Sequence, residues 1–269
     1  MFEEFVGQEK ITKELSAIIA GLRKYPNKSV NIILRGPAGC GKTRLAEEFA
    51  GILCERYGYQ VPSKGFSMEG IKDIRCQIMD EIHTMRAFEN LYPLMDEEKY
   101  VFIFCTTEFG DLPDPFSSRC LQFTFISYSI EELAQIAVKY SQRIKMAITF
   151  DTGILVAKRA KGSPRRVEKL VQRMFFIIDR GYHPLTIRGI NAAMNDIGVY
   201  NGGYTDADQM YLKFLAKVGK ASLNTICRAI RLDENTIKNE IEPFLVQNGH
   251  ISITSKGRQF LSWEREGIQ

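Results

Sequence analysis

The sequence predicts an α/β fold: a parallel sheet flanked by helices around a phosphate-binding loop, followed by a helical lid and a C-terminal winged-helix domain. Three observations predict it. Gly36-Pro-Ala-Gly-Cys-Gly-Lys42-Thr43 fits the pattern G-x-x-x-x-G-K-[ST]. Apolar strand-like runs and helix-period segments succeed one another up to residue 127, beyond which the pattern turns helical. Residues 204–269 then read as three helices with a closing strand and tight turn.

In chain order, Phe5-Val-Gly-Gln8 precedes a helix in which Ile11, Leu15, Ile18, Ile19 and Leu22 share a face, ended by Pro26 and Asn27. Val30–Leu34 reads as a buried strand leading into the loop, and Leu45, Ala46, Phe49, Ala50, Leu53 and Tyr57 recur at helical spacing after it. That strand-loop-helix setting is what the motif needs. Gly36, Pro37, Ala38, Gly39, Cys40 and Gly41 form a cradle whose backbone N–H groups turn toward phosphate oxygens, Lys42 reaches the β- and γ-phosphates, and Thr43 offers a hydroxyl to Mg²⁺. The ligands implied are ATP and Mg²⁺.

After an ambiguous piece at residues 59–66, Ile74-Arg-Cys-Gln-Ile-Met-Asp80-Glu81 has the form of a second nucleotide motif, an apolar strand ending in two acids. Asp80 is expected to hold Mg²⁺ through water and Glu81 to polarise the attacking water. Arg75 and Gln77 interrupt the apolar run, so a solvated edge strand with incidental acids is the competing expectation. Met85, Phe88, Leu91 and Leu94 suggest a helix, and Tyr100–Thr107 is the clearest buried strand. Its end places Thr106 or Thr107 where an open α/β sheet binds its ligand, suited to sensing a γ-phosphate. A proline-marked turn, Phe116-Ser-Ser-Arg119-Cys120 and an alternating strand, 121–125, follow.

Two lid helices are marked by Leu133, Ile136, Ala137, Tyr140 and Ile144, and by Val167, Leu170, Val171, Met174 and Ile178. Between them Ser163-Pro164 starts a helix with Arg165 and Arg166 in its first turn, where cations oppose the helix dipole unless an anion sits nearby. Asn201-Gly-Gly203 is the linker to helices near 207–218, 222–230 and 233–247. The third helix carries Asp233, Glu234, Glu240 and Glu242 against Lys238, a poor reader of base edges. Thr254, Lys256 and Arg258 on the wing are the better DNA phosphate contacts, which predicts weak sequence preference and strong salt dependence. The domain boundaries expected are 1–127, 128–203 and 204–269.

With 45% hydrophobic and 25% charged residues, the 269-residue chain has the balance of a soluble globular protein. No apolar run approaches the ~20 residues that span a bilayer, and Met1-Phe-Glu-Glu-Phe5 lacks the basic start of a secretory signal, so no membrane association and a cytoplasmic location are expected. Six cysteines without C-x-x-C spacing predict reduced thiols, with Cys40 oxidisable. Residues 128–203 hold 12 basic and 6 acidic side chains, a surplus that suits nucleic acid, nucleotide or a neighbouring subunit.

Together these residues resemble the RuvB family of AAA+ motors, which drive Holliday-junction branch migration. The pieces that carry the resemblance are Phe5-Val-Gly-Gln8, the phosphate loop, Asp80-Glu-Ile-His83, Cys105-Thr-Thr107 with Gly110, Arg159-Ala-Lys-Gly-Ser-Pro-Arg165 and Glu242-Pro-Phe-Leu-Val-Gln-Asn-Gly249 leading into Thr254–Arg258. The resemblance implies an AAA+ P-loop core that hydrolyses ATP and a homo-oligomer, a hexameric ring, that translocates duplex or branched DNA in recombination or repair. It also implies that Phe5 and Val6 line the adenine pocket, Thr107 is sensor 1, Pro164 and Arg165 form the sensor 2 contact, and Arg119 is an arginine finger supplied to a neighbour. Two departures stand out. Only Asp96-Glu-Glu-Lys99 separates the helix from the sensor 1 strand, leaving no room for the family's RuvA-docking hairpin and making a RuvA-type partner doubtful. Ser118-Arg119-Cys120 resembles clamp-loader small subunits, so the alternative is a clamp-loader-like or helicase-loader-like ATP-gated switch. A third possibility is a DNA-binding regulator with a silent ATPase core.

Overall fold

A computed structural model describes residues 1–54, 57–60, 74–178 and 186–263. These fall into two compact units, 1–132 with 163–165, and 133–162 with the rest of the chain from 166. The second unit therefore holds most of the expected lid together with the C-terminal domain.

The first unit is organised by a five-stranded parallel sheet of β1 (Val30–Arg35), β2 (Tyr57–Gln60), β3 (Cys76–Met79), β4 (Val101–Thr106) and β5 (Leu121–Thr124), in the order β2-β3-β4-β1-β5. Central β4 is buried at every position, as a strand covered on both faces must be. Helix α1 (Glu9–Lys24) buries Ile11, Leu15, Ile19 and Leu22 and stops before Pro26. Helix α2 (Lys42–Leu53) buries Leu45, Ala46, Phe49 and Ala50, but Tyr57 begins β2 instead of extending the helix. Residues 61–66 of the ambiguous piece lie outside the described residues.

Two expectations are corrected here. The strand before Asp80-Glu81 is not a solvated edge: β3 lies between β2 and β4 and is buried throughout. Gln77 is tolerated there because its Nε2 donates to the Ile74 carbonyl at 2.7 Å, while Arg75 turns out of the sheet to the Lys28 carbonyl. Met85, Phe88, Leu91 and Leu94 do not share one helix. Two 3₁₀ turns, Ile82–Thr84 and Phe88–Asn90, lead to the short α3 (Tyr92–Asp96), and Met85, Phe88, Leu91 and Met95 still enter one core with Phe104 and Phe116. Burial at helix-like spacing was met by consecutive turns. From α3 only residues 97–100 lead into β4, with no hairpin between, and α4 (Asp114–Ser117) precedes edge strand β5.

In the second unit, α5 (Ile130–Arg143, apart from its first residues), α6 (Phe150–Arg159), α7 (Pro164–Ile178, after its first turn) and α8 (Ile187–Asp196) precede the C-terminal helices. Of these, α6 and α8 are elements the sequence reading left out. The C-terminal part comprises α9 (Asp206–Val218), β6 (Lys220–Ala221), α10 (Leu223–Ile230), α11 (Glu234–Thr236), a π-helical turn at Ile237–Ile241, α12 (Glu242–Gln247), β7 (Ile251–Thr254) and β8 (Gly257–Phe260). Ser222 and Asp233 cap α10 and α11 through Thr225 N and Thr236 N, and Thr205 and Asp208 form a reciprocal capping box on α9. Strands β6, β8 and β7 pair antiparallel behind these helices, around a core that includes Tyr211, Leu215, Ile226, Ile237 and Leu245.

Candidate nucleotide site and nucleic-acid surface

The carboxyl end of the parallel sheet collects the predicted nucleotide-binding groups. β1 runs into the loop and α2 starts directly from it, so the backbone amides at 39–43 lie at a helix N-terminus. Gly39 (φ +76°) and Gly41 (φ +97°) adopt left-handed conformations that a side chain would strain. A Cβ on Gly39 would meet Arg165 and Ser163 at 3.0 Å, and one on Gly41 would meet the Phe5 ring at 3.3 Å. The Arg165 amide donates to the Gly39 carbonyl at 3.3 Å. Phe5, Ser163 and Arg165 are thus brought to the loop, with Val6 and Pro164 as their chain neighbours.

Lys42 is buried, and its Nζ donates to the carbonyls of Gly36 and Pro37 at 2.9 and 3.0 Å. Thr43 Oγ1 donates to Asp80 Oδ2 at 2.8 Å, and Thr107 Oγ1 donates to Glu81 Oε2 at 3.0 Å. Thr106, by contrast, points to His83. A hydroxyl beside one carboxylate is an all-oxygen donor pair that suits Mg²⁺, which takes few protein ligands and completes its shell with water and phosphate. The described residues contain no cluster of three or more His, Cys, Asp or Glu that could cage a metal. The loop, its glycines and this donor pair fit a nucleotide with Mg²⁺.

Sequence reasoning missed three neighbours. Tyr128 Oη donates to the Cys40 carbonyl at 2.8 Å, and Gln8 brackets Ile126 through both ends of its amide, tying the N-terminal segment to the strand exit beyond β5. His83 joins Glu81 and Thr106. Gln8 and His83 lie in segments that carry the family resemblance, but the chemistry of none of the three names its partner. Cys40 is buried and burial raises its thiol pKa, more than Lys42 lowers it, so it has little thiolate with which to be oxidised.

Arg119 is not at this site. Its backbone carbonyl accepts from Asn31 at the start of β1, the amino end of the sheet. Asn31 and the loop are separated by about 16 Å of strand, further than an arginine extends. The guanidinium is held there by Asp96 at 3.0 Å, by the Pro115 carbonyl at 2.7 Å and over the Tyr92 ring.

On the wing, Thr254 and Lys256 are exposed at the turn between β7 and β8. Arg258 corrects the expectation. Its Nε and Nη2 bond the carboxylate of buried Glu242 at 2.7 and 3.1 Å, and Glu242 also accepts from Tyr211 Oη at 3.0 Å. The guanidinium faces inward because Glu242 would otherwise be a buried charge without a partner. With the wing read as the DNA contact, Lys256→Ala is expected to reduce the slope of log K against log salt for DNA binding by about 1 at unchanged stability. Arg258→Ala is expected instead to destabilise the fold by about 3 kcal/mol, read by denaturant titration.

Comparisons with known proteins fall on the same family. Residues 201–262 match the RuvB C-terminal winged helix domain. The chain is 30% identical to the Holliday junction branch migration complex subunit RuvB of Helicobacter pylori (strain G27), over 96% of the chain and 87% of that protein. It is 31% identical to the subunit of the same name from Campylobacter jejuni (strain RM1221), with the same coverage. The solved structure of the Thermotoga maritima RuvB Holliday junction branch migration motor superposes with a TM-score of 0.82, covering 97% of this chain and 94% of that one. At 23% identity that last likeness speaks for the fold.

Proposed function

The chain belongs to the RuvB family, and from that premise we propose that it is an ATP-hydrolysing, ring-forming motor that translocates duplex DNA in branch migration during recombination or repair. One observation carries the reading: Lys42, Thr43, Asp80, Glu81 and Thr107 converge at the carboxyl end of the sheet, while Arg119 stands at the amino end. A site built this way is completed by a neighbour, so turnover depends on assembly into a ring, taken as a hexamer. The domain organisation that goes with it is an ATPase core over 1–127, a lid over 128–203 and a winged-helix domain over 204–269, the last supported by the family match starting at residue 201.

In this reading Lys42 exchanges its loop carbonyls for β- and γ-phosphate oxygens, and the amides of 39–43 close on the same phosphates. Thr43, and Asp80 through water, would hold Mg²⁺, which when bound would supply positive charge beside the phosphates. Glu81 orients the attacking water and takes its proton, and Thr107 reads the γ-phosphate from the end of β4. Arg165 approaches the phosphates from the lid, where they compensate the unfavourable placement of a cation in a first helical turn. Phe5 and Val6 cover the adenine. Exposed Thr254 and Lys256 meet DNA phosphates. Among the described residues no helix is long and apolar enough to cross a membrane.

The loader-like switch has one observation in its favour, the direct passage from α3 to β4 through residues 97–100, which leaves no RuvA-docking hairpin there. Steady-state ATPase with linear duplex, single strand and four-way junction, at two salt concentrations, separates the readings. The motor is expected to be stimulated by DNA alone and to migrate a branch in an ATP-dependent strand-displacement assay. Turnover that responds only to an added replication protein, with no branch movement, would overturn it.

A further inference from the structure

His83 has no role in the mechanism above, yet it lies between its two strands. The ring is largely buried, with a side-chain exposure of 14%. Its Nδ1 stands 3.3 Å from Glu81 Oε2 and 3.1 Å from Thr106 Oγ1, while Nε2 is 4.0 Å from the exposed Glu108 carboxylate. Thr106 Oγ1 already accepts the Glu108 amide at 3.1 Å. The tautomer follows from these neighbours. With a bare Nδ1, the nitrogen lone pair would face a carboxylate oxygen 3.3 Å away; with a proton on Nδ1, the ring donates to the Thr106 hydroxyl and turns the positive end of the N–H dipole toward that oxygen.

Glu81 needs such support. It occupies the left-handed region (φ +48°, ψ 48°), where a residue other than glycine is strained, and it follows directly on Asp80. Its Oε2 accepts from the Thr107 hydroxyl and lies 3.3 Å from His83 Nδ1. Thr107 is also the group that must turn toward a γ-phosphate. When it does, Oε2 loses its hydroxyl donor and His83 Nδ1 is the polar neighbour that stays.

We propose that His83 is a positioning residue for Glu81: its Nδ1–H holds Oε2 while Oε1 addresses the attacking water, and through Thr106 it ties Glu81 to the end of β4. This rests on the assignment of Glu81 as the base. The polar neighbours of His83 are Glu81, Thr106 and Glu108 and none of the phosphate-loop groups, so its removal should lower kcat and leave substrate binding alone.

The test is steady-state ATPase of the full chain carrying His83→Ala, His83→Asn or His83→Gln, with affinity for a fluorescent ADP analogue measured in parallel. His83→Ala is expected to lower kcat by about 10²-fold, the cost of misplacing a catalytic group, with KM and ADP affinity within about twofold. His83→Asn puts an amide N–H where Nδ1 stands and is expected to recover most of the rate. His83→Gln carries its amide to the place of Nε2 and is expected to stay slow. A wild-type kcat in His83→Ala, or equal rates for the Asn and Gln variants, would overturn the proposal. The Asn and Gln comparison holds even where the alanine variant folds poorly. Glu81→Gln is measured beside them, because undiminished hydrolysis there removes the base assignment itself, a different failure from that of His83.

Discussion

Arg119→Ala is expected to lower ATPase turnover by about 10³ to 10⁵-fold, the range seen when an arginine finger is lost from a phosphoryl-transfer site. The loss should come without unfolding. Arg119 is partly exposed and its Asp96 partner more so, and exposed pairs of this kind contribute about 0 to 1 kcal/mol. Lys is a poor substitute, since a point charge on a flexible stem does not reproduce the planar fork now shared among Asp96, Pro115 and the Tyr92 ring. The sharper expectation concerns mixtures. A subunit with Lys42→Ala cannot hold the nucleotide but still presents Arg119, and one with Arg119→Ala holds the nucleotide but presents nothing. Mixing two inactive proteins should therefore restore some turnover, with a maximum at intermediate ratios. A flat mixing curve would mean that Arg119 does not complete a neighbour's site.

What the sequence made legible follows the range of the interactions. The phosphate loop, β1, α2 and β4 were readable because each is specified by its own residues: glycines where φ is positive, a full apolar run where both faces are covered. The winged segment was readable for the same reason, through its caps at Ser222 and Asp233 and its closing turn. Side-chain direction was not. Arg258 looks like a phosphate contact until Glu242, distant by 16 residues in sequence, is found to need its charge. Gln77 argued for an edge strand until its amide found the Ile74 carbonyl. The helix expected from Met85 to Leu94 shows a further limit, since apolar residues at that spacing can enter one core from turns as well as from a helix. Periodicity alone leaves Thr106 and Thr107 as alternatives and only the family resemblance favours Thr107, because the strand's pleat decides which hydroxyl faces Glu81 and which faces His83.

The second large effect is thermodynamic and lies in the second unit. Lys161 and Asp208 form an ion pair at 2.5 Å whose side chains are 5% and 0% exposed. Asp208 Oδ2 also accepts from the Thr205 amide and hydroxyl, and Lys161 Nζ lies 4.1 Å from the centre of the Phe244 ring. Removing one member of such a pair leaves the other as a buried charge, which costs about 3 to 5 kcal/mol. Asp208→Ala should be the worse of the two, because it also dissolves the capping box of α9. After Lys161→Met the carboxylate keeps both Thr205 donors, and the loss should be smaller. The single tryptophan, Trp263, packs on the C-terminal core, so its fluorescence follows the unfolding of this unit in denaturant. The pH dependence has a definite sign. Burial lowers the Lys161 pKa, with a smaller push from Arg166, and Asp208 is the main group opposing that shift, so Asp208→Asn leaves only the weaker Glu240 charge against it. The folded variant then binds fewer protons than the unfolded chain from the lowered pKa up to about 10.4, the ordinary lysine value, and its stability should rise with pH through that window. A variant that instead loses stability toward alkaline pH, or unfolds at the wild-type denaturant midpoint, would show that Lys161 and Asp208 are not a desolvated pair in solution.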